Sequence, residues 1–226
     1  MKRLAFVTLP STELERPPAA AAALSACARA VGWHCEIFDF NLWLNANVSN
    51  AVWIELEEYW RCKQLTLSDA TELELKQVTD QFIQQIHQYN PDMVGVSVFS
   101  RMSVLSAWWM CRHLRAAMDC KIVIGGAGAY AWPGSLPSMN THNLTAATFA
   151  EYALQAKVID YYIQGDGEIA LMQLLQDNSD YAGINGQAPV QIDNLTELPH
   201  PDYQGIEPEK YFYTHEPGIY ITASRG

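Results

Sequence analysis

The chain has 226 residues, 49% of them hydrophobic, and a formal net charge of −11. That composition supplies a core and excludes a generally disordered chain; the length suits one domain of ~150–180 residues with an appendage. The acidic balance argues against a partner whose phosphates must be tracked, so nucleic acid is not expected.

The five cysteines, Cys27, Cys35, Cys62, Cys111 and Cys120, are odd in number and show no C-x-x-C spacing. They read as small buried thiols in a reducing compartment, so a cytoplasmic location is expected. The basic opening "MKRLAFVTL" has too short an apolar run, Leu4 to Leu9, for a secretory signal. No stretch approaches the ~20 apolar residues of a transmembrane helix.

In chain order, "RLAFVTL" (3–9) is a compact apolar run and predicts a buried strand. Pro17 and Pro18 suit the first turn of a helix, which continues through "AAAAALSACARAVG" and closes at Gly32. "HCEIFDF" (34–40) is the second strand, which completes a βαβ rhythm. Residues 41–90 carry more helix than a crossover needs. Trp43, Trp53, Tyr59 and Trp60 stud the first part; the second opens at Ser68 or Asp69 and shows one apolar face, Leu75, Val78, Phe82, Ile86 and Tyr89.

"PDMVGVSVF" (91–99), "CKIVIGG" (120–126) and "IDYYIQ" (159–164) are the third to fifth strands. Between and after them lie the helices "SVLSAWWMCRHLRAAM", "TAATFAEYALQAK" and "EIALMQLLQD". The expected fold is α/β: a five-stranded parallel doubly wound sheet, Rossmann-like, in the flavodoxin order 2-1-3-4-5, with a helical insertion and a C-terminal linker. Ligands bind such sheets beyond the carboxyl ends of the strands. Residues 178–226 hold Pro189, Pro199, Pro201, Pro208 and Pro217 and little helix, as a linker would; they finish in "GIYITASRG", which alternates as a strand.

The loops at the carboxyl ends are small and polar. Gly95, Ser97, Ser100 and Ser103 follow or end strand three, Gly125, Gly126 and Gly128 strand four, and Gly165 and Gly167 strand five. Such strand ends in a row open a slot for something long and flat, although ordinary turns use the same residues. "GDGEIA" (165–170) satisfies G-x-G-x-x-A, but it follows the fifth strand, and Asp166 and Glu168 would repel a pyrophosphate. No two of the six histidines have metal-ligand spacing, and neither a G-x-S-x-G elbow nor a Walker loop occurs. Arg101 is the charged group expected inside the crevice.

Taken together, "PPAAAAALSACARAVGWHCEIFDFN", "PDMVGVSVFSRMS", "IVIGGAGA", "VIDYYIQGDGEIAL" and "NLTELPHPDY" resemble, in order and over nearly the whole chain, the cobalamin-binding domains at the N-terminus of radical S-adenosylmethionine (SAM) enzymes. The resemblance implies cobalamin with its corrin across the carboxyl ends and its dimethylbenzimidazole tail beside Gly95, Ser97, Gly125 and Gly126. Ser97 would hydrogen-bond the tail, and Gly165, Gly167 and Glu168 would flank the nucleotide; Ser100, Arg101 and Ala127 complete the expected cofactor-binding set. The loop "PSTELERPP" carries no histidine, so no histidine ligand to cobalt is expected.

In that family the linker leads into a barrel strand ending "SRGC", whose cysteine opens the C-x-x-x-C-x-x-C motif of a [4Fe–4S] cluster. The resemblance therefore divides the chain into a cobalamin-binding domain, 1–177, and a linker with the start of a missing barrel, 178–226. It implies a methyl carrier for a radical SAM methyltransferase, with cluster and SAM held by the missing barrel and this chain alone inactive. The alternatives are a cofactor-free module that packs against the barrel and gates substrate, and a flavin or nucleotide binder. Aromatic residues in 43–60 are expected to face the missing domain, leaving an apolar patch through which the chain self-associates.

Overall fold

The computed structural model describes residues 1–10, 14, 17–61, 63, 66–131 and 146–211. Five parallel strands form one sheet in the order β2-β1-β3-β4-β5. They are β1 (Arg3–Thr8), β2 (His34–Asp39), β3 (Met93–Ser97), β4 (Lys121–Gly125) and β5 (Tyr161–Ile163). The alternating strands and helices therefore fold as the sequence predicts: every parallel connection needs a crossover, and the switch in strand order falls between β1 and β3.

The crossovers place α1 (Ala19–Ala30) and α7 (Gly167–Leu175) on one face. The other face carries α4 (Asp69–Tyr89), α5 (Val104–Ala117) and α6 (Phe149–Gln155), with α2 (Phe40–Asn47) and α3 (Asn50–Trp60) packed on α4 and α5. Strand side chains alternate between two cores. Ala5, Val7 and Leu9 join the core under α4 and α5, whereas Leu4 and Phe6 join that under α1 and α7.

Local chemistry sets the helix ends. Gly32 (φ +84°) follows α1, and the amides of Gly32 and Trp33 return to the carbonyls of Arg29 (3.0 Å) and Ala28 (3.1 Å). Ser68 caps α4 by accepting from the Thr71 amide at 3.3 Å, and Asn90 (φ 53°) ends it in the left-handed region. The Glu55 carboxylate accepts from the Ser68 amide (2.5 Å), the Ser68 hydroxyl (2.9 Å) and the Thr71 hydroxyl (2.5 Å), which fastens α3 to the start of α4.

The expected apolar patch over 43–60 does not form. Trp60 is 2% exposed, and Trp43, Trp53 and Tyr59 are half-buried against the main core. The apolar face of α4 draws them in: Trp43 stacks near Phe82 (6.2 Å between centroids), and its indole N–H donates to the Val78 carbonyl at 3.3 Å. In this stretch only Ile54, among the large hydrophobic residues, stands exposed.

The tail after α7 packs on the domain. Residues 183–192 cover the open edge of β5: the Gln164 amide donates to the Gly183 carbonyl at 2.6 Å, and the Tyr162 amide to Asn185 Oδ1 at 2.9 Å. An isolated parallel bridge joins Gly165 to Val190. An edge strand of three residues is thereby shielded from foreign pairing. The tail then crosses α1 and reaches Tyr211, whose hydroxyl donates to Asp39 at 2.6 Å beside the end of β2. The predicted strand at 218–226 lies outside the described residues. Among the described residues, no helix is long and apolar enough to cross a membrane.

Candidate functional site

A cavity of about 220 Å³ opens at the carboxyl edge, between the sheet and the α1–α7 pair. Its floor follows from register. Phe6, Gly95 and Val123 form one row across β1, β3 and β4; Ser97, Gly125 and Ile163 form the next across β3, β4 and β5. The walls follow from helix period: Ala20 and Leu24 lie one turn apart on α1, as do Gly167 and Leu171 on α7. The inside is mainly apolar, with Ser97, Asp166 and Glu168 as its polar side chains.

Seven of the ten sequence-predicted residues line this slot: Gly95, Ser97, Gly125, Gly126, Gly165, Gly167 and Glu168. Ser100, Arg101 and Ala127 do not. The Ser100 hydroxyl accepts from the Met102 amide at 3.2 Å, capping the 3-10 turn Arg101–Ser103. That turn carries Arg101 outward, where it is exposed rather than inside the crevice. Ala127 opens a second short turn, Ala127–Tyr130, and is also exposed. Phe6, Leu24, Ile163 and Leu171 line the slot unforeseen; their only sequence signal was the apolar period of β1, α1, β5 and α7.

The glycines separate by cause. A Cβ on Gly126 would lie 2.6 Å from the Val98 carbonyl oxygen, and its φ is +103°, so its own backbone demands glycine. A Cβ on Gly165 would lie 2.2 Å from the Val190 oxygen, and its φ is +83°, so there the tail and the backbone both demand glycine. Gly95 lies beneath the Phe6 ring, whose Cδ2 would be 3.0 Å from an added Cβ. Gly125 and Gly167 differ. Neither has a positive φ, and an added Cβ would make only ordinary contacts, the nearest at 3.6 Å to the Ile163 carbonyl oxygen and to Leu24 Cδ2 respectively. Among the described residues nothing requires glycine at these two positions, and both line the slot.

Polar groups are few and graded. Ser97 is half-buried, and its hydroxyl makes no hydrogen bond among the described residues. Thr8 follows Val7 as Ser97 follows Val96, its partner in register; its hydroxyl is buried and has no hydrogen-bond partner among the described residues. Glu168 is 5% exposed in the first turn of α7, where the helix dipole favours its charge. Asp166 accepts from the Ile192 amide at 2.7 Å, and its own amide donates to the Val190 carbonyl at 2.8 Å. The Tyr130 hydroxyl donates to the last β5 carbonyl, of Ile163, at 2.5 Å.

Away from the slot, burial raises the thiols of Cys35 and Cys111 to about 12 and that of Cys120 to about 11. Cys27, Cys35 and Cys111 are buried. Among the described residues no group of His, Cys, Asp and Glu is arranged to hold a metal ion.

No family model matches the chain, and no curated protein does. Among solved structures it is similar to the radical S-adenosylmethionine methyltransferase TsrM from Kitasatospora setae. With tryptophan substrate and a SAM analogue bound, that protein is 15% identical at a TM-score of 0.48, over 81% of this chain and 28% of the other. With cobalamin and a [4Fe–4S] cluster bound, it is 16% identical at 0.47, over 81% and 29%. This chain thus spans less than a third of the length of either.

Proposed function

We propose that the slot takes the tail of cobalamin and that the domain serves as the cobalamin carrier of a radical SAM methyltransferase. The observation that carries this reading is the pair Gly125 and Gly167, which keep the floor and the α7 wall of the slot free of side chains without any need of their own backbone. The sequence motifs resembling cobalamin domains support it independently.

The residues fit such a group. A cavity of about 220 Å³ is below the ~300–1,000 Å³ of whole-ligand pockets, so it suits one arm of a ligand whose remainder lies outside. Phe6, Leu24, Ile163 and Leu171 supply apolar walls for a flat, neutral ring system. The Ser97 hydroxyl is free to donate to a buried ring nitrogen, which needs a partner once it leaves water. Cobalamin, when bound, supplies the capacity to carry and deliver a methyl group. The chain's own part is to hold the tail, exclude water from it and leave the carboxyl edge open. On the same resemblance, the chain beyond the packed tail would lead toward a barrel that holds the cluster and SAM.

The test is uptake. Hydroxocobalamin is added, the protein is desalted, and the visible spectrum is recorded for wild type and Gly125→Val. Wild type retains corrin bands. The valine variant, whose Cβ fits but whose methyls enter the slot, keeps the far-UV circular dichroism and loses the bands. A wild-type protein without corrin bands ends the proposal.

A further inference from the structure

One tail segment is bonded to both walls of the slot. On the β5–α7 side, the Asp166 amide donates to Val190 and the Asp166 carboxylate accepts from Ile192. Gly165 pairs with Val190 so closely that no Cβ fits between them. On the α1 side, the Asp202 amide donates to the Ala22 carbonyl at 3.0 Å, and the Ser25 hydroxyl is shared between the Ala22 carbonyl (3.0 Å) and the Asp202 carbonyl (3.1 Å). The Asp202 carboxylate pairs with Arg29, whose guanidinium also donates to the Cys35 carbonyl at 2.8 Å. Ala20 and Leu24 line the slot, whereas Ala22, Ser25 and Arg29 lie on the other flank of α1, so Asp202 holds that wall from behind while Asp166 itself lines the opposite wall.

We propose that Asp166 and Asp202 are positioning residues: through them the segment 183–204 straps the β5–α7 loop to α1 and sets the width of the slot. The inference rests on the slot being a ligand site, and it goes beyond that reading by giving the tail a function in binding. The Ala22 carbonyl lies inside α1, where a helix already uses its acceptors, so the added bond from Asp202 is a dedicated tie. The two ties are joined by continuous chain. Release of one wall therefore loosens the other, and a ligand that fixes the walls fixes the tail.

Two measurements test this. In ligand-free protein, hydrogen exchange is followed in wild type, Asp166→Ala and Asp166→Asn. The alanine variant is expected to exchange about tenfold faster at residues 190–192 and also at the Asp202 amide and residues 22–26 on the far wall, the loss of one charged hydrogen bond. The asparagine variant, which keeps an acceptor for the Ile192 amide, stays near wild type. Ser25→Ala, on the other wall, gives the mirror effect at 190–192 and replaces Asp166→Ala should that variant not fold. Exchange at the far wall equal to wild type overturns the strap.

The second measurement is a hydroxocobalamin titration, in which Asp166→Ala binds about tenfold more weakly and Asp166→Asn is restored. Equal affinity of wild type and alanine variant overturns control of the slot by the strap. A wild type that takes up no cobalamin ends the binding proposal instead, and the exchange result then decides the strap alone.

Discussion

Gly125 and Gly126 are neighbours at the end of β4, yet the structure gives them opposite tolerance for a methyl group. At Gly126 a Cβ meets the Val98 carbonyl oxygen at 2.6 Å and its carbon at 3.1 Å. That carbonyl is not free to retreat, because it accepts from the Gly128 amide at 2.9 Å while the Val98 amide donates to Gly125 at 2.8 Å. The φ of +103° adds strain of its own for any L-residue. Strain of ~1–3 kcal/mol at such a backbone, plus the clash, gives about 2–4 kcal/mol for Gly126→Ala. At Gly125 the nearest atoms lie at 3.6 and 3.7 Å and φ is not positive, so Gly125→Ala is expected within ~0.5 kcal/mol of wild type. Urea unfolding at 25 °C measures both, with unchanged m values as the sign that only the native state is affected. In a chain of this size the difference is also a fall of roughly 2–4 °C in Tm for each kcal/mol. Two variants of equal stability would refute the division of the glycines by cause, and with it the inference that Gly125 is small for the sake of a ligand.

Two further predictions concern groups remote from the slot. Burial alone would raise the pKa of Asp160, but the Ile122 amide (2.8 Å), the Arg115 guanidinium and Lys121 (3.3 Å) outweigh it and hold the value below the ordinary one. Its stabilisation is therefore complete above the unfolded value near ~4 and is lost as pH falls through the lowered folded value. Asp160→Asn should cost about 1–2 kcal/mol at pH 7 in urea unfolding, with the gap to wild type closing in acid; a gap that persists unchanged at pH 2 contradicts this. Among the four described thiols, iodoacetamide at pH 8 should modify only Cys120 in the folded protein, and that slowly, because Cys27, Cys35 and Cys111 are buried. Peptide mass spectrometry reads the sites, and rapid labelling of Cys35 or Cys111 would contradict their burial and raised pKa.

The strand order was legible because each element had its own period and the connections left few choices: βα alternation forces parallel pairing, and five such strands suit one switch point. The start of α4 was legible to within a residue because Ser68 is a cap followed by acidic residues, Asp69 and Glu72, and then by an apolar stripe. The walls of the slot were not legible. Phe6, Leu24 and Leu171 have the periods of ordinary core residues, and a slot is a core with side chains left out; only the glycines signalled it. Arg101 was misplaced because a 3-10 turn turns by about 120° per residue, so one step decides between inside and outside. The wrapping of 183–192 along β5 was hidden for a different reason. Those pairings run through Gly183, Asn185 and single amides, which leave no alternating pattern to read.

The same residues bear on which ligands the sheet accepts. A flavodoxin-like sheet that held a nucleotide would gather amide donors at the start of α1, where the first helical turn faces the carboxyl edge. Here Pro17 and Pro18 precede Ala19 and add no donor of their own to the first-turn amides of α1. Across the slot, Asp166 and Glu168 present carboxylates at the start of α7. The α7 wall thus lowers the affinity for phosphate in the slot by adding charge. An apolar floor, with Ser97 as the hydroxyl lining it, favours a neutral ring with a single acceptor. That disfavours a flavin or dinucleotide phosphate inside the slot and favours a ligand that inserts an uncharged aromatic arm and leaves its charged groups outside. Flavin mononucleotide is the sharp control for the uptake experiment: it should pass through desalting unretained under conditions in which hydroxocobalamin stays bound, and retention of the flavin would reverse the argument from charge.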